Sequence, residues 1–308
     1  MLRELHSVGD WIRYAASRFG AADLHYGHGF DSALDEASFL VLTTLKLPHD
    51  MPPAYVSARL LPTERKTVFA RIRQRADARV PLAYILGEAW FAGLSFKVTP
   101  DTLVPRSPIA ELIEHGFEPW LSQPPQAILD LCTGGGCIAI ACAVRFPQAH
   151  VTGSDLSEAA LAVAQENARL HGVDGRSEWL LSDVFEALPK RHFDLIVSNP
   201  PYVGIAEYED LPREFAHEPR SGLVSGSDGL DLPLRILVEA ADHLTADGWL
   251  VLEVGASEDA LLAALPDLPG EWASFERGGS GVLLINAAEL KAYAPALKRC
   301  LRERAEEL

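Results

Sequence analysis

Apolar residues recur at intervals of three and four in the first 80 residues, the spacing that places them on one face of a helix. Three segments carry this pattern: WIRYAASRF, DEASFLVLTTLKL and TERKTVFARIRQRA. The stretches between them, YGHGF and LPHDMPPAY, hold the glycine and proline typical of turns. The pattern therefore predicts an N-terminal helical domain over residues 1–80.

The pattern changes between Tyr84 and Pro100, where aromatic and β-branched residues flank Gly93 in AWFAGLSFKV. Such a segment is typical of a β-hairpin. We therefore predict a junction over residues 81–115 that contains this hairpin, followed by a third region over residues 116–308.

Short apolar segments alternate with amphipathic helical stretches after residue 125. The apolar segments are AILDL, HVTGSDL, EWLLSD, DLIVSNP and WLVLEV. This alternation predicts an α/β domain with a parallel, doubly wound sheet. EWASFERG and GVLLINA lie too close together for a helix to cross between them, so they should pair antiparallel. A seven-stranded sheet with an antiparallel last strand resembles the Rossmann-like class I methyltransferase fold, and the last twenty residues predict an appended helix broken near Pro295.

Composition narrows the possible partners and the cellular address. The chain has 27 Lys and Arg against 43 Asp and Glu, a net charge of −16, which repels a phosphate backbone and favours a basic protein partner. The start of the chain lacks a basic segment followed by an apolar one, and no run approaches the roughly 20 apolar residues of a membrane span. We therefore expect a cytoplasmic protein. The spacing of the four cysteines suits neither a disulfide framework nor a metal site.

Residues 128–138, ILDLCTGGGCI, run from a predicted strand through three glycines into a helix. Ligands of open α/β sheets bind at such turns, where glycine allows the backbone to approach a cofactor closely. The dinucleotide fingerprint G-x-G-x-x-G is absent because Ala139 stands where its last glycine belongs, and the acidic Asp130 precedes the turn. The turn therefore predicts a cofactor other than a dinucleotide.

Acidic residues end or follow three successive predicted strands. Asp130 is the first, Asp155 follows on the next strand, and Asp183 ends the third. A carboxylate at Asp155 can accept hydrogen bonds from both hydroxyls of a ribose, and one at Asp183 can accept from an adenine amino group. Three acidic groups suit a cationic sulfonium cofactor, which indicates S-adenosylmethionine.

Asn199-Pro200-Pro201-Tyr202 follows the predicted strand DLIVS at its carboxyl end. The two prolines fix φ near −65° and remove two N–H donors, so the backbone presents carbonyl acceptors in a stiff frame. Asn199 adds a side-chain carbonyl, and Tyr202 adds an aromatic face on which a planar amide can stack. The tetrapeptide therefore predicts a site that holds an NH₂ group for methylation.

Three segments relate the chain to known proteins. The tetrapeptide is shared by adenine-amino methyltransferases, by guanine-amino methyltransferases of ribosomal RNA and by protein glutamine methyltransferases, so it leaves the substrate open. Residues 80–114, VPLAYILGEAWFAGLSFKVTPDTLVPRSPIAELIE, resemble the junction of the protein N(5)-glutamine methyltransferases. A third segment, EPRSGLVSGSDGLD after the tetrapeptide, is also similar to this family.

Within that family, the chain is more similar to the branch that acts on a ribosomal protein. Release-factor enzymes typically read Pro-Arg-Pro-x-Thr-Glu where this chain has Pro105-Arg106-Ser107-Pro108-Ile109-Ala110-Glu111. The segment Asp130-Leu131-Cys132-Thr133-Gly134 and the N-terminal helical region also resemble the ribosomal-protein branch.

The resemblance implies N(5)-methylation of one glutamine in the third protein of the large ribosomal subunit, with S-adenosylhomocysteine as the product and residues 1–80 as a substrate-docking domain. It implies that Asn199 and the Pro200 carbonyl hold the glutamine amide. We expect Arg106 to contact the substrate backbone or Glu111, with a structural salt bridge as the alternative. The expected catalytic residues are Asn199, Pro200 and Tyr202, and the expected substrate-binding residues are these three with Pro201 and Arg106. The expected cofactor-binding residues are Asp130, Cys132, Thr133, Gly134, Gly136, Asp155, Leu156, Asp183, Val184 and Asn199.

Three other functions stay open on the sequence alone. One is glutamine methylation of release factors. The second is amino methylation of RNA or DNA, which predicts a basic face and a nucleic-acid-binding module, neither of which the sequence contains. The third is a cofactor-binding interaction protein without catalysis, against which the intact tetrapeptide argues.

Overall fold

The computed structural model describes residues 4–27, 29–30 and 32–307, which form two compact units. The first unit extends to Ala89 and includes the separate segment Pro212–His217, and the second comprises Trp90–Leu211 and the chain from Glu218 onward. The division at Ala89 falls inside the predicted junction. The sequence did not predict that Pro212–His217 belongs with the N-terminal helices.

The first unit is helical and contains the three helices that the apolar pattern predicts. Ser7 caps the first helix by accepting a 3.1 Å hydrogen bond from the Asp10 N–H, while Asp10 accepts one of 2.8 Å from the Ser7 N–H. Trp11, Phe19 and Leu40 are fully buried in the core of this unit because they lie on the helix faces that the three- and four-residue spacing defines. The helices are α1 (Val8–Ala21), α2 (Ala33–Thr44), α3 (Pro62–Ala76) and α4 (Leu82–Leu86).

The predicted hairpin is present as a two-stranded sheet of β1 (Glu88–Phe91) and β2 (Leu94–Lys97). Its two turn residues, Ala92 and Gly93, have φ angles of 47° and 74°. Positive φ at both central residues is the geometry of the tight turns that join twisted antiparallel strands.

The second unit is built on a seven-stranded sheet with the strand order β5-β4-β3-β6-β7-β9-β8. Neighbouring strands from β5 to β7 are parallel, and β9 is antiparallel to both β7 and β8. The Rossmann-like fold class with its antiparallel last strand is therefore confirmed. The strands are β3 (Ala127–Leu131), β4 (His150–Asp155), β5 (Ser177–Leu181), β6 (Phe193–Ser198), β7 (Leu244–Glu253), β8 (Glu271–Trp272) and β9 (Val282–Asn286).

Helices cover both faces of this sheet, so its central strands are buried on both sides. Along β3, Ile128 belongs to one apolar cluster, whereas Leu129 and Leu131 belong to the other, as the two-residue repeat of a strand requires. The order of β3 and β6 places a topological switch point between them, where ligands of such sheets bind. The helices are α5 (Ile109–Glu114), α6 (Cys137–Arg145), α7 (Glu158–Leu170), α8 (Ile205–Asp210), α9 (Asp231–Glu239), α10 (Glu258–Ala264) and α11 (Ala287–Glu307).

The prediction that the C-terminal helix breaks near Pro295 was wrong, because α11 continues through this residue. A proline inside a helix removes one backbone hydrogen bond, but packing on both sides offsets this loss. Leu290 and Leu297 are fully buried in the apolar cluster of one sheet face, and Arg304 forms two 2.7 Å hydrogen bonds with Asp228. The C-terminal segment is therefore a packed part of the second unit.

Within residues 4–27, 29–30 and 32–307, no helix is both long enough and apolar enough to cross a membrane.

Candidate active site

The glycine-rich turn connects β3 to α6 and needs unusual backbone angles at several positions. Cys132, Gly134 and Gly136 have positive φ angles of 57°, 55° and 79°. A Cβ atom on Gly136 would also lie 2.9 Å from a ring atom of Trp179 and 3.0 Å from the Cβ of Ala164. Gly136 is therefore required both for its backbone angle and for the space that a side chain would occupy. The sequence shows three glycines in a row but does not show which of them meets both requirements.

Asp130 is buried beneath this turn, with an exposed fraction of 1%. Its Oδ2 accepts a 2.5 Å hydrogen bond from the Thr133 hydroxyl and a 3.0 Å one from the Ala139 N–H. Its Oδ1 is buried and has no hydrogen-bond partner among the described residues. Burial and, to a lesser extent, the nearby Asp155 charge raise the pKa of Asp130 to about 7, although the hydrogen bonds from Thr133 and Ala139 lower it. A buried carboxylate oxygen without a partner requires a hydrogen-bond donor or a nearby cation. The ammonium or sulfonium group of S-adenosylmethionine fits this requirement.

Asp155 ends β4 and stabilises the turn from the neighbouring strand. Its Oδ2 accepts a 2.8 Å hydrogen bond from the Gly134 N–H, and its Oδ1 accepts a 2.8 Å one from the Ser157 N–H. Burial raises the pKa of its carboxyl group, while these backbone hydrogen bonds lower it. A carboxylate has about four lone-pair sites, so Asp155 keeps acceptor capacity for the two hydroxyls of a ribose.

Leu156 follows Asp155 and exposes 70% of its surface, which is unusual for a leucine at the end of a buried strand. Ser157 then caps α7 by accepting a hydrogen bond from the Ala160 N–H. The cap directs the chain into the helix immediately after Leu156. An apolar side chain is thereby presented at the carboxyl end of β4, next to the carboxylate of Asp155.

Asp183 lies two residues beyond the end of β5 and forms an ion pair that the sequence did not predict. Its Oδ1 accepts a 2.9 Å hydrogen bond from the Arg235 guanidinium, and the Asp183 side chain is 41% exposed. Val184 beside it is buried and has a φ of 50°. An adenine amino group bound at Asp183 would therefore share this carboxylate with Arg235.

The Asn199-Pro200-Pro201-Tyr202 loop begins directly after β6, whose neighbours in the sheet are β3 and β7. The Ser198 hydroxyl donates a 2.9 Å hydrogen bond to the Leu131 carbonyl, which joins the end of β6 to the start of the glycine-rich turn. Asn199 is half-buried, and in the described part of the chain its side-chain amide has no hydrogen-bond partner. The Asn199 amide is thus available to a ligand close to the glycine-rich turn.

Tyr202 is held by polar contacts at both ends. Its hydroxyl donates a 2.9 Å hydrogen bond to Oε1 of Glu253, and its backbone carbonyl accepts a 2.6 Å one from the Ser257 hydroxyl. Burial and the Glu253 charge raise the pKa of Tyr202 well above its usual value. Glu253 and Ser257 were not predicted from the sequence, because only the tertiary structure places the end of β7 beside the loop.

The structure pairs Arg106 with Glu218 and not, as one expectation had it, with Glu111. Glu111 instead binds the Arg277 guanidinium at 3.3 Å and accepts a 2.9 Å hydrogen bond from the Glu276 N–H. Arg106 forms hydrogen bonds of 2.9 and 3.0 Å to the buried carboxylate of Glu218. A buried glutamate requires a cationic partner, so this ion pair is the structural salt bridge that was the alternative interpretation, and a contact of Arg106 with the substrate backbone stays a prediction.

The two cysteines at the turn, Cys132 and Cys137, are partly buried. Burial raises the pKa of Cys137 to about 12 and that of Cys132 still further. All four cysteines are free, and the described residues contain no group of three or more His, Cys, Asp or Glu side chains that could hold a metal ion. Cys132 and Cys137 therefore pack as neutral side chains around the turn.

The fold and the site define the class of protein. Residues 117–229 match the family model described as methyltransferase small domain. Among solved structures, the hMettl16 catalytic domain, in complex with a MAT2A 3′UTR hairpin, matches 75% of this chain and 85% of its own with a TM-score of 0.50 and 14% identity. At that identity the likeness concerns the fold alone. This is a methyltransferase with a Rossmann-like catalytic fold.

Sequence relatives identify the family within this class. The chain is 53% identical to the ribosomal protein uL3 glutamine methyltransferase of Xanthomonas campestris pv. campestris, over 94% of each chain. It is 44% identical to the protein of the same name from Francisella tularensis subsp. tularensis, over 97% of this chain and 96% of that one. The chain belongs to the family of ribosomal protein uL3 glutamine methyltransferases. The prediction of this family and branch is confirmed, whereas the roles of individual site residues stay predictions.

Proposed function

We propose that this chain transfers a methyl group from S-adenosylmethionine to the side-chain amide nitrogen of a glutamine in ribosomal protein uL3. The observation that carries the proposal is the intact Asn199-Pro200-Pro201-Tyr202 loop, which directly follows β6 beside the glycine-rich turn. The relatives that share at least 44% of the sequence over nearly the whole chain carry uL3 glutamine methyltransferase as their name. Family membership supports the substrate, and the loop supports the chemistry.

The cofactor is proposed to bind at the carboxyl ends of β3, β4 and β5. S-adenosylmethionine supplies a methyl group activated by a positively charged sulfur. The unpartnered Oδ1 of Asp130 would accept a hydrogen bond from the cofactor or lie beside its positive charge. Asp155 would accept hydrogen bonds from the ribose hydroxyls, and the Asp183 carboxylate would accept one from the adenine amino group. The other residues proposed to line the site are Cys132, Thr133, Gly134, Gly136, Leu156, Val184 and Asn199.

The chain's own part in the reaction is to hold the amide and shape its surroundings. Asn199 Oδ1 and the Pro200 carbonyl would accept the two N–H bonds of the glutamine NH₂ group, and the Tyr202 ring would lie against the amide plane. An amide nitrogen is a poor nucleophile because its lone pair is delocalised. Two acceptors favour its rehybridisation as positive charge develops, so alignment and electrostatics replace a strong base.

The distribution of charge supports a basic protein substrate. Residues 1–89 contain 11 basic and 10 acidic residues, so the remainder of the chain, which contains the catalytic fold, carries a net charge of −17. An acidic catalytic unit attracts a basic polypeptide and repels naked RNA. This favours ribosomal protein over nucleic acid, and we propose that residues 1–80 provide the docking domain.

We also propose that the enzyme acts in the cytoplasm before or during assembly of the large subunit. A glutamine in an accessible loop can enter a site at the end of a sheet, whereas one enclosed by ribosomal RNA cannot. Turnover on intact subunits combined with failure on unassembled protein would contradict this part of the proposal.

The function is tested by incubating the protein with labelled S-adenosylmethionine and, separately, with uL3 lacking the modification, with release factors and with deproteinised RNA. We expect label on a glutamine side chain of uL3, located by mass spectrometry. Label only in a release factor or only in RNA would refute the proposed substrate. Asn199 is proposed to hold the substrate amide and only to border the cofactor, so Asn199→Ala should abolish transfer while cofactor affinity, measured by calorimetry, changes less than about threefold. Collapse of cofactor binding would show that its main role is misassigned.

A further inference from the structure

Glu253 is a buried carboxylate at the carboxyl end of β7, next to the catalytic loop. Its side chain is 3% exposed, and β7 runs parallel to β6 with Leu252 opposite Ser198. Glu253 therefore stands one position further along the sheet, in line with Asn199. Burying an ionisable group among the apolar residues of a sheet costs free energy, so its two oxygens require partners.

Both oxygens of Glu253 have such partners, and both partners are hydroxyl groups. Oε1 accepts a 2.9 Å hydrogen bond from Tyr202, and Oε2 accepts a 2.5 Å one from Ser107. Ser107 is itself buried, and its oxygen also accepts the Ile109 N–H at 3.2 Å, which fixes it at the start of α5. The carboxylate thus joins the Tyr202 hydroxyl to the start of α5.

The backbone around Tyr202 is also shaped to its ring. A Cβ atom on Gly255 would fall 2.5 Å from Cε2 of Tyr202, and Gly255 has a φ of 47°. A Cβ atom on Gly229 would fall 2.0 Å from the Tyr202 carbonyl oxygen. Two glycines are therefore required where the chain passes the tyrosine, and the Ser257 hydroxyl holds its carbonyl. Gly255 therefore borders the Tyr202 ring, and Gly229 and Ser257 border its backbone carbonyl.

We propose that Glu253 is a positioning residue for methyl transfer, which fixes the Tyr202 ring against the substrate amide by accepting the hydrogen bond of its hydroxyl. Hydrogen bonds to a carboxylate are stronger than those between neutral groups, so the ring is held in place before substrate arrives. Glu253 acts through Tyr202, and Ser107 holds the carboxylate in turn. The inference rests on the proposed function of the Asn199-Pro200-Pro201-Tyr202 loop.

The test compares Glu253→Gln, Tyr202→Phe and the double variant, with Glu276→Gln as control because Glu276 is an exposed glutamate in the same unit. We expect Glu253→Gln to lower kcat/KM for uL3 by about 10- to 100-fold, while cofactor affinity changes less than about threefold and Glu276→Gln matches the wild type. Because Glu253 acts through the tyrosine hydroxyl, the double variant should be no worse than the poorer single variant. Losses that multiply in the double variant, or activity of Glu253→Gln within about twofold of the wild type, would overturn the inference.

A spectroscopic measurement separates this inference from the proposed function. The chain has seven tyrosines, so the ¹³C resonance of the Tyr202 Cζ atom can be assigned by its absence from Tyr202→Phe. We expect this resonance to move in Glu253→Gln and not in Glu276→Gln. Failure of the wild type to methylate uL3 would refute the proposed function and leave the contact between Glu253 and Tyr202 untouched. A Tyr202 Cζ resonance that is the same in Glu253→Gln and in the wild type would refute the contact.

Should Glu253→Gln not fold, Ser107→Ala provides the second variant. It removes one hydrogen bond from Oε2 and leaves the carboxylate and Tyr202 in place. We expect a smaller loss of kcat/KM, about 3- to 10-fold, that disappears in a Tyr202→Phe background. A loss of equal size in that background would overturn the positioning role.

Discussion

Asp130→Asn should stabilise the protein without cofactor at alkaline pH and weaken cofactor binding. Asparagine has nearly the shape of aspartate, and its amide oxygen can keep the hydrogen bonds from Thr133 and Ala139. The change removes the negative charge from a side chain that is 1% exposed and whose Oδ1 has no partner in the described chain. A charge of this kind destabilises the folded protein unless a ligand compensates it.

The size of the effect follows from the pKa of Asp130, which burial raises from 3.8 to about 7. A carboxyl group with a raised pKa binds its proton more tightly in the folded state, so its contribution to stability is complete below about pH 4 and is lost as the pH rises to about 7. At about 1.4 kcal/mol for each pKa unit, the loss is about 4 kcal/mol. The buried NH₂ group of asparagine costs about 1–3 kcal/mol, so the net gain at pH 8.5 is about 1–3 kcal/mol.

Thermal unfolding of the cofactor-free wild type and Asp130→Asn at pH 5 and pH 8.5 measures this effect. The variant should unfold at nearly the wild-type temperature at pH 5 and several degrees higher at pH 8.5, at about 2–4 °C for each kcal/mol. Calorimetry should show cofactor affinity reduced by about 10-fold or more. Asp174→Asn, at an exposed position of the same unit, is the control. The same difference in Tm at both pH values would refute the reasoning, because the charge would then not be the cause.

Three further predictions concern a buried ion pair, the glycine-rich turn and the C-terminal helix. Glu214→Gln should destabilise the N-terminal unit by about 1–3 kcal/mol, because the fully buried Glu214 pairs with the buried Arg75 at 3.2 Å while Arg75 keeps Glu36 as a second partner. The loss should appear as faster proteolysis of the helices, and unchanged proteolysis would contradict it. Gly136→Ala should weaken cofactor binding at least 10-fold, whereas Gly172→Ala, also at positive φ but in open space, should not; equal effects would mean that the backbone angle alone matters. Leu297→Ala should cost about 2–5 kcal/mol in denaturant unfolding, and a loss below 1 kcal/mol would show that α11 is not part of the core.

The elements could be predicted because their information is local. The three-residue and two-residue repeats of apolar positions reflect which face of a helix or strand is buried, so α1 to α3, the hairpin and the seven strands were all present in the pattern. The continuation of α11 through Pro295 could not be predicted this way. Whether a proline ends a helix depends on the packing energy on both sides of it, and Leu290 and Leu297 supply that energy from residues distant in sequence.

In the candidate site too, some residues could be predicted from local sequence and others could not. Asp130, Asp155 and Asn199 could be selected from the sequence because each lies at or just after the end of an apolar strand, and the carboxyl ends of parallel strands meet at one edge of a sheet. Glu253 carries no such signal. It is one of 43 acidic residues. Its contact with Tyr202, which lies 51 residues earlier in the chain, exists because β7 pairs with β6.

The sequence by itself determined the class of fold, the family and the chemical nature of the loop at Asn199, because these depend on short runs of residues and on their order. Only the tertiary structure decided the pairing of Arg106 with Glu218, the assignment of Pro212–His217 to the helical unit and the contacts that fix Tyr202. Ion pairs and buried hydrogen bonds join residues that are far apart in the chain, and a charged residue has many possible partners until folding brings one of them within about 3 Å.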